Sequence, residues 1–277
     1  MKIGILFIGT GLYIQFFKQV YDSFEKYFLP DHEKKYFLFT DSNDSFPDNV
    51  HVTKIPWKGF PGDTLYRYHY FLKIVKHAIN YEIDVLYYSD VDMTVVDTVD
   101  DEILPTRDKP LIAIAHPGYY RVSNGTPESR KISKAYINPL AMRAPYICGG
   151  IQGGFLAEYF SACEIMKDWI DIDEKNGITA IYQDESNWNK YRITNLHRFK
   201  ILTPAYCFPE SNTYKNLNGI KPKIFALDKD HDYYRSDPEK KIKGQQHRST
   251  GTISEVRNKG RGKSSKRQAI PDIILKS

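Results

Sequence analysis

Two aspartates one residue apart, Asp90 and Asp92, interrupt the apolar stretch LYYSDVDMTV at residues 86–95. Side chains at i and i+2 beyond a strand end can point to the same side and offer two oxygen ligands to Mn²⁺ or Mg²⁺. Such hard cations take oxygen donors and keep positions for phosphate oxygens. Two carboxylates at a buried strand end are costly unless something positive sits between them. An Asp-x-Asp alone reads as a pair of solvated loop acids, but the apolar strand before this one favours an ion that bridges protein to a diphosphate.

A rival chemistry fits the same letters. Asp-x-Asp-x-Thr after an apolar strand resembles the first motif of haloacid-dehalogenase-type phosphatases, with Asp90 as nucleophile and Asp92 as general acid. ALDKDHD supplies a later acidic pair, Asp228 and Asp232. That motif ends the first core strand of such enzymes, whereas here about 80 residues of α/β pattern precede it.

The elements that must position the pair follow from apolar periodicity. KIGILFIG (2–9) is a buried strand. Tyr13, Phe16, Phe17, Val20, Phe24, Tyr27 and Phe28 trace one face of a helix that Pro30 stops. KYFLFTD (35–41) and HVTKIP (51–56) predict strands, and a helix from about Thr64 turns Leu65, Tyr68, Leu72, Val75 and Ile79 inward. DVLYYSD (84–90) is the strand that delivers Asp90. Strands alternating with helices imply a mainly parallel sheet covered on both faces, with ligands at the carboxyl ends of strands. Beyond it come a strand and turn at 111–118, the Gly-rich YICGGIQGG (146–154) and a helix over 155–171. A second helix opens in YQDESNWNKY, and a final strand lies at 223–228.

The 277 residues, 41% hydrophobic and 26% charged, describe a soluble globular chain with 21 tyrosines. There is no apolar run long enough to span a bilayer and no leader-like segment before the first strand, so a cytoplasmic protein is expected. Cys148, Cys163 and Cys207 lack metal-type spacing and read as free thiols. The net charge of +5 comes from one end: residues 240–277 hold 11 Lys/Arg against 2 acids, the remainder 28 against 32. That tail has no apolar periodicity and reads as disordered. A solvated extension is favoured for it over contact with an anionic surface, and no nucleic acid is required.

Several segments, in order, resemble glycosyltransferase family 6, the histo-blood-group A/B transferases, α1,3-galactosyltransferases and their microbial and phage relatives. They are FIGTGLY, DTLYRYHYFLKI, YYSDVDM, HPGYYR, AYI, YICGGIQGG, YQDESNWNKY, TPAYCFPE and KDHDYYR, and the resemblance runs from about residue 2 to Arg235. It implies a single GT-A domain, Rossmann-like and nucleotide-sugar-binding, over 1–239, with 240–277 as a basic tail. It also implies a retaining transferase that moves GalNAc or Gal from UDP-GalNAc or UDP-Gal, in α1,3 linkage, to a galactose-terminated glycan acceptor. Ile8, Gly9 and Thr10 would contact the uracil and Tyr13 would stack on it. Arg67 would meet the donor and the aspartate region, and Asp90 and Asp92 would hold Mn²⁺ or Mg²⁺. Cys148, Gly149 and Gly150 would line the donor sugar, with Gly150 leaving room for an acetamido group. Lys229 and Arg235 would close over the diphosphate.

Glu185 matches the catalytic glutamate of the family, as nucleophile or as stabiliser of oxocarbenium charge; by itself it reads as a helix-start acid. Asp184 would support that helix start or contact donor hydroxyls. His116 matches an acceptor contact. Tyr182 and Gln183 stand where vertebrate members have tryptophan and histidine, and Glu210 lies one position from an acceptor-binding acid. A non-catalytic sugar-binding descendant is the remaining alternative, opposed by the intact Asp90, Asp92 and Glu185.

Overall fold

The computed structural model describes residues 1–143 and 145–237; the expected basic tail lies outside them. Strands β1 (Lys2–Ile8), β2 (Glu33–Thr40), β3 (Val50–Lys54), β4 (Val85–Ser89), β6 (Leu111–Ala115), β7 (Ile147–Phe155) and β8 (Phe199–Leu202) form a seven-stranded sheet in the order β3-β2-β1-β4-β7-β6-β8. β5 (Met93–Val95), β9 (Phe208–Pro209) and β10 (Ile224–Ala226) make a small second sheet.

Period-two alternation divides the core between the two faces of the large sheet. Ile3, Ile5, Phe7, Val85 and Tyr87 join one buried cluster with Phe17, Val20 and Phe24 of helix α1 (Phe17–Tyr27). Leu6, Leu86 and Tyr88 join the other. Helices α2 (Gly62–Leu65), α3 (Arg67–Phe71), α4 (Val75–Asn80), α5 (Leu156–Lys175) and α6 (Gln183–Thr194) follow in sequence, and residues from all five lie in or pack against that second cluster.

The expected helix from Thr64 is interrupted. A 3₁₀ turn over Leu72–Ile74 separates α3 from α4, and its tighter winding brings every third residue inward. The buried face is therefore Leu65, Tyr68, Phe71, Ile74 and Ala78, while Ile79, expected inside, is 60% exposed. Likewise the chain after β1 enters α1 through a 3₁₀ turn, Gly11–Phe16, so Tyr13 is half-buried at a rim instead of inside a helix face.

The glycine-rich segment is a full central strand. β7 runs antiparallel between β4 and β6. A Cβ on Gly153 would stand 2.6 Å from the Leu86 carbonyl oxygen, and one on Gly154 would stand 2.4 Å from that of Pro110. Only glycine tolerates so close a backbone approach.

Candidate active site

β4 ends at Ser89, and the next amide, Asp90 N–H, donates to Gly150 O at 2.8 Å. Asp90 and the glycine triplet Cys148–Gly149–Gly150 therefore lie side by side, just past the carboxyl end of β4 and at the start of β7. Along β7 side chains alternate. A Cβ on Gly149 would face Asp184 Oδ2 at 3.1 Å and Glu185 Cβ at 3.4 Å, whereas one on Gly150 would face Met93 Sδ at 3.0 Å and Asp90 Oδ2 at 3.2 Å.

Arg67, from the first turn of α3, is buried at the centre of this group. Its guanidinium donates to Gly149 O at 2.7 Å, pairs with Asp184 Oδ2 at 3.0 Å and reaches Asp90 Oδ1 at 3.4 Å. It also lies over the Tyr88 ring at 4.4 Å, and the Tyr88 hydroxyl donates to Asp90 Oδ1. One rigid fork thus joins the end of β4, the start of β7 and the first turn of α6. Asp184 and Glu185 occupy that first turn, and Gly149 N–H donates to Glu185 Oε2 at 2.8 Å.

The electrostatics are lopsided. Asp90, Asp92, Asp184 and Glu185 face two nearby cations, Arg67 and Lys229, the latter bonded to Asp92 Oδ2. Burial pushes the Asp184 carboxyl up to about 8, with Arg67 opposing and Asp90 and Glu185 reinforcing. Burial likewise pushes Glu185 up to about 7, opposed by the Gly149 amide. Asp90 is raised by burial and by Asp92, against Arg67. Among the described residues Asp90 Oδ2 and Asp92 Oδ1 have no hydrogen-bond or ion-pair partner. Excess negative charge and two free carboxylate oxygens fit a divalent cation. No cluster of three candidate protein ligands exists among the described residues, so a cation held by Asp90 and Asp92 would need further oxygen donors from a bound ligand or water.

The site opens into a cavity of about 300 Å³ whose lining includes Ile8, Thr10, Tyr13, Arg67, Asp90, Asp92, Lys229 and Arg235. Gly9, between two of these, donates its N–H to Phe39 O at 2.9 Å. Its remaining walls were not read from the sequence. Asp63 accepts from the Thr10 hydroxyl at 2.9 Å across 53 residues of chain. Tyr234, on helix α7 (His231–Tyr234), packs on Tyr13 at 5.6 Å and Phe16 at 4.7 Å. Arg235 lies 3.6 Å over Phe60. The signals for these walls were weak: GFPGD marks only a turn, and aromatic residues are common throughout the chain.

The expected acceptor residues divide. His116 directly follows β6, and its Nδ1 accepts from Gly118 N–H at 3.1 Å, which leaves the ring proton on Nε2. Burial lowers its pKa to about 4, so it is neutral at pH 7. Its ring packs tilted against Tyr119 at 4.8 Å and edge-on to Tyr146 at 5.9 Å, and the buried Tyr146 hydroxyl faces Glu185 without a hydrogen bond of standard geometry. Tyr182 is exposed on the same side, and Gln183 carries a left-handed backbone at φ 41°. Glu210 is exposed and accepts from Asp228 N–H at 2.9 Å, a bond that ties two chain segments together. Cys148 is buried in the core cluster on one side of the large sheet.

A Rossmann-like sheet with a carboxylate-rich site at its strand ends, opening on an aromatic-walled cavity, defines an α/β enzyme of the GT-A type. The family model of glycosyltransferase family 6 matches residues 1–236, and the chain belongs to that family. It is similar to the O-antigen biosynthesis glycosyltransferase WbnI of Escherichia coli, with 32% identity over 216 residues, 76% of this chain and 89% of the relative. It is also similar to histo-blood group ABO system transferase 1 of Rattus norvegicus, 29% identical over 75% of this chain and 61% of the relative. Globoside alpha-1,3-N-acetylgalactosaminyltransferase 1 of Gallus gallus is 28% identical over 76% and 62%. The chain thus spans less than two thirds of these two vertebrate proteins. Family membership makes the protein a glycosyltransferase with a nucleotide-sugar donor and a glycan acceptor, and it removes the phosphatase reading of Asp90. Among the described residues no helix is long and apolar enough to cross a membrane.

Proposed function

We propose that the protein is a divalent-metal-dependent, retaining hexosyltransferase that transfers GalNAc, or Gal, from a UDP-sugar in α1,3 linkage to a galactose-terminated acceptor. The observation that carries this reading is the Arg67 fork. It draws the Asp90-x-Asp92 motif and the Asp184–Glu185 pair to one strand end at the mouth of an aromatic cavity.

Each part has work suited to its chemistry. Tyr13 and the Ile8–Thr10 backbone offer a flat surface and polar groups to a base. Asp90 and Asp92 would hold Mn²⁺ or Mg²⁺, which would supply positive charge to the diphosphate. Lys229 and Arg235 add charge where the leaving diphosphate becomes more negative. Glu185, oriented by the Gly149 amide, stands on the opposite side of the glycine triplet from Asp90. Its ionised carboxylate serves a retaining reaction either as nucleophile or as a stabiliser of oxocarbenium charge. Neutral His116 and the Tyr182–Gln183 edge form the acceptor side. The chicken relative's name, an alpha-1,3-N-acetylgalactosaminyltransferase, supports this linkage and donor.

A donor screen tests the reading: UDP release is followed with UDP-GalNAc, UDP-Gal, UDP-Glc and UDP-GlcNAc, with Mn²⁺ and a β-galactoside acceptor. Acceptor-dependent UDP release with the first two donors is the expected result. Release with neither, or only with the glucose-type donors, contradicts it.

A further inference from the structure

A buried acid outside the catalytic cluster has no place in the chemistry so far. Glu128 is 1% exposed and sits in the long excursion between β6 and β7 that begins at His116. Its Oε2 accepts from Ile181 N–H at 2.9 Å and from Arg130 Nη2 at 2.6 Å, while Oε1 accepts from Arg130 N–H and Nε at 2.8 and 2.9 Å. The same Arg130 Nη2 donates to Thr179 O at 2.5 Å. A second tie lies alongside, where Asp173 accepts from Ser133 Oγ at 2.6 Å and Lys134 N–H at 2.7 Å.

Thr179–Ile181 belong to no helix or strand, yet they lead directly into α6 and its catalytic turn. They need fixing from outside, because Gln183 must hold a left-handed backbone that a non-glycine residue rarely adopts. We infer that Glu128 and Arg130 are positioning residues that clamp the acceptor-side loop to the entry of α6 and so hold Glu185 in place for transfer. The inference rests on Glu185 being the catalytic carboxylate. The bidentate ion pair keeps Glu128 ionised, its pKa lowered to about 2, so the clamp stays closed across the working pH range.

The test is steady-state kinetics of Arg130→Met, Glu128→Gln and Glu185→Gln, with competent sites counted by UDP-sugar binding. The Arg130 side chain is 48% exposed, so its removal does not open the core. A misplacement near 1 Å costs ~10²-fold in rate. Arg130→Met and Glu128→Gln are therefore expected to lose about 10- to 100-fold in kcat, with donor KM changed less than about 2-fold. Arg130→Lys keeps the charge but not the fork, and should fall between. Because the clamp acts through Glu185, adding Arg130→Met to Glu185→Gln should lower the residual rate by less than about 2-fold. Undiminished kcat per competent site in Arg130→Met, or a full additional loss in the double variant, overturns the clamp while the Glu185 assignment stands. Unchanged kcat in Glu185→Gln overturns the catalytic assignment itself.

Discussion

Arg67 and Asp184 form an ion pair at 3.0 Å with both side chains almost fully buried, 4% and 3% exposed. Asp184 immediately precedes Glu185, and Arg67 also reaches Asp90, so this pair links the Asp90-x-Asp92 motif to the turn that carries Glu185. Removing one partner strands a buried charge wherever Asp184 is ionised. Arg67→Met is expected to cost about 3–5 kcal/mol of unfolding free energy at about pH 9, above the raised Asp184 pKa of about 8. The cost should shrink at about pH 6, where Asp184 holds a proton. Denaturant melts at both pH values check this; an equal cost at both contradicts the charge argument.

Burial of the two acids also sets a pH dependence for the metal-free protein. Glu185 rises from 4.5 to about 7 and Asp184 from 3.8 to about 8 on folding. The folded state therefore binds more protons than the unfolded chain across this window, and these groups make stability fall as pH rises through it. Glu185→Gln removes one contribution. It should be more stable than wild type by about 1–3 kcal/mol at about pH 8, and the two should converge near pH 4. Thermal melts that keep a constant separation across that range contradict the assignment.

How much of this was legible in the sequence depends on the reach of each interaction. The strand leading to Asp90 and the helix that carries Asp184 in its first turn are local patterns, and both are legible in the sequence. The helix from Thr64 slipped in phase at Leu72 because a 3₁₀ turn, set by tertiary packing, carries no local signature. β7 was legible only as glycines, since the reason for Gly153 and Gly154 is the backbone of neighbouring strands. Asp63 and Tyr234 were missed because their partners, Thr10 and Tyr13, are distant in the chain. Glu128 was passed over because its partner segment lies some fifty residues downstream.

Metal removal tests the carboxylate bridge. EDTA should abolish transfer and Mn²⁺ should restore it. Asp92→Asn should weaken UDP-sugar binding as well as turnover, because the diphosphate loses a bridge and Lys229 loses its partner. Full activity in EDTA places the chain among metal-independent transferases.

The proposed preference for an acetamido sugar is tested at Gly150. A Cβ there would stand 3.0 Å from Met93 Sδ and 3.2 Å from Asp90 Oδ2, so the position is close-packed and an added side chain must displace its neighbours. Gly150→Ala should shift the kcat/KM ratio toward UDP-Gal by a factor corresponding to about 1–3 kcal/mol. Its methyl also presses on the Asp90 carboxylate, so total activity should fall. A ratio that does not move toward UDP-Gal removes the steric explanation.

Retaining transfer served by Glu185 fixes the anomeric configuration of the product formed from UDP-GalNAc, or from the better donor in the screen, on a β-galactoside. Proton NMR of the purified product should show the small anomeric coupling of an α linkage, matching the α configuration of the donor. A large coupling, and hence a β linkage, means a single inverting displacement and contradicts the account of Glu185.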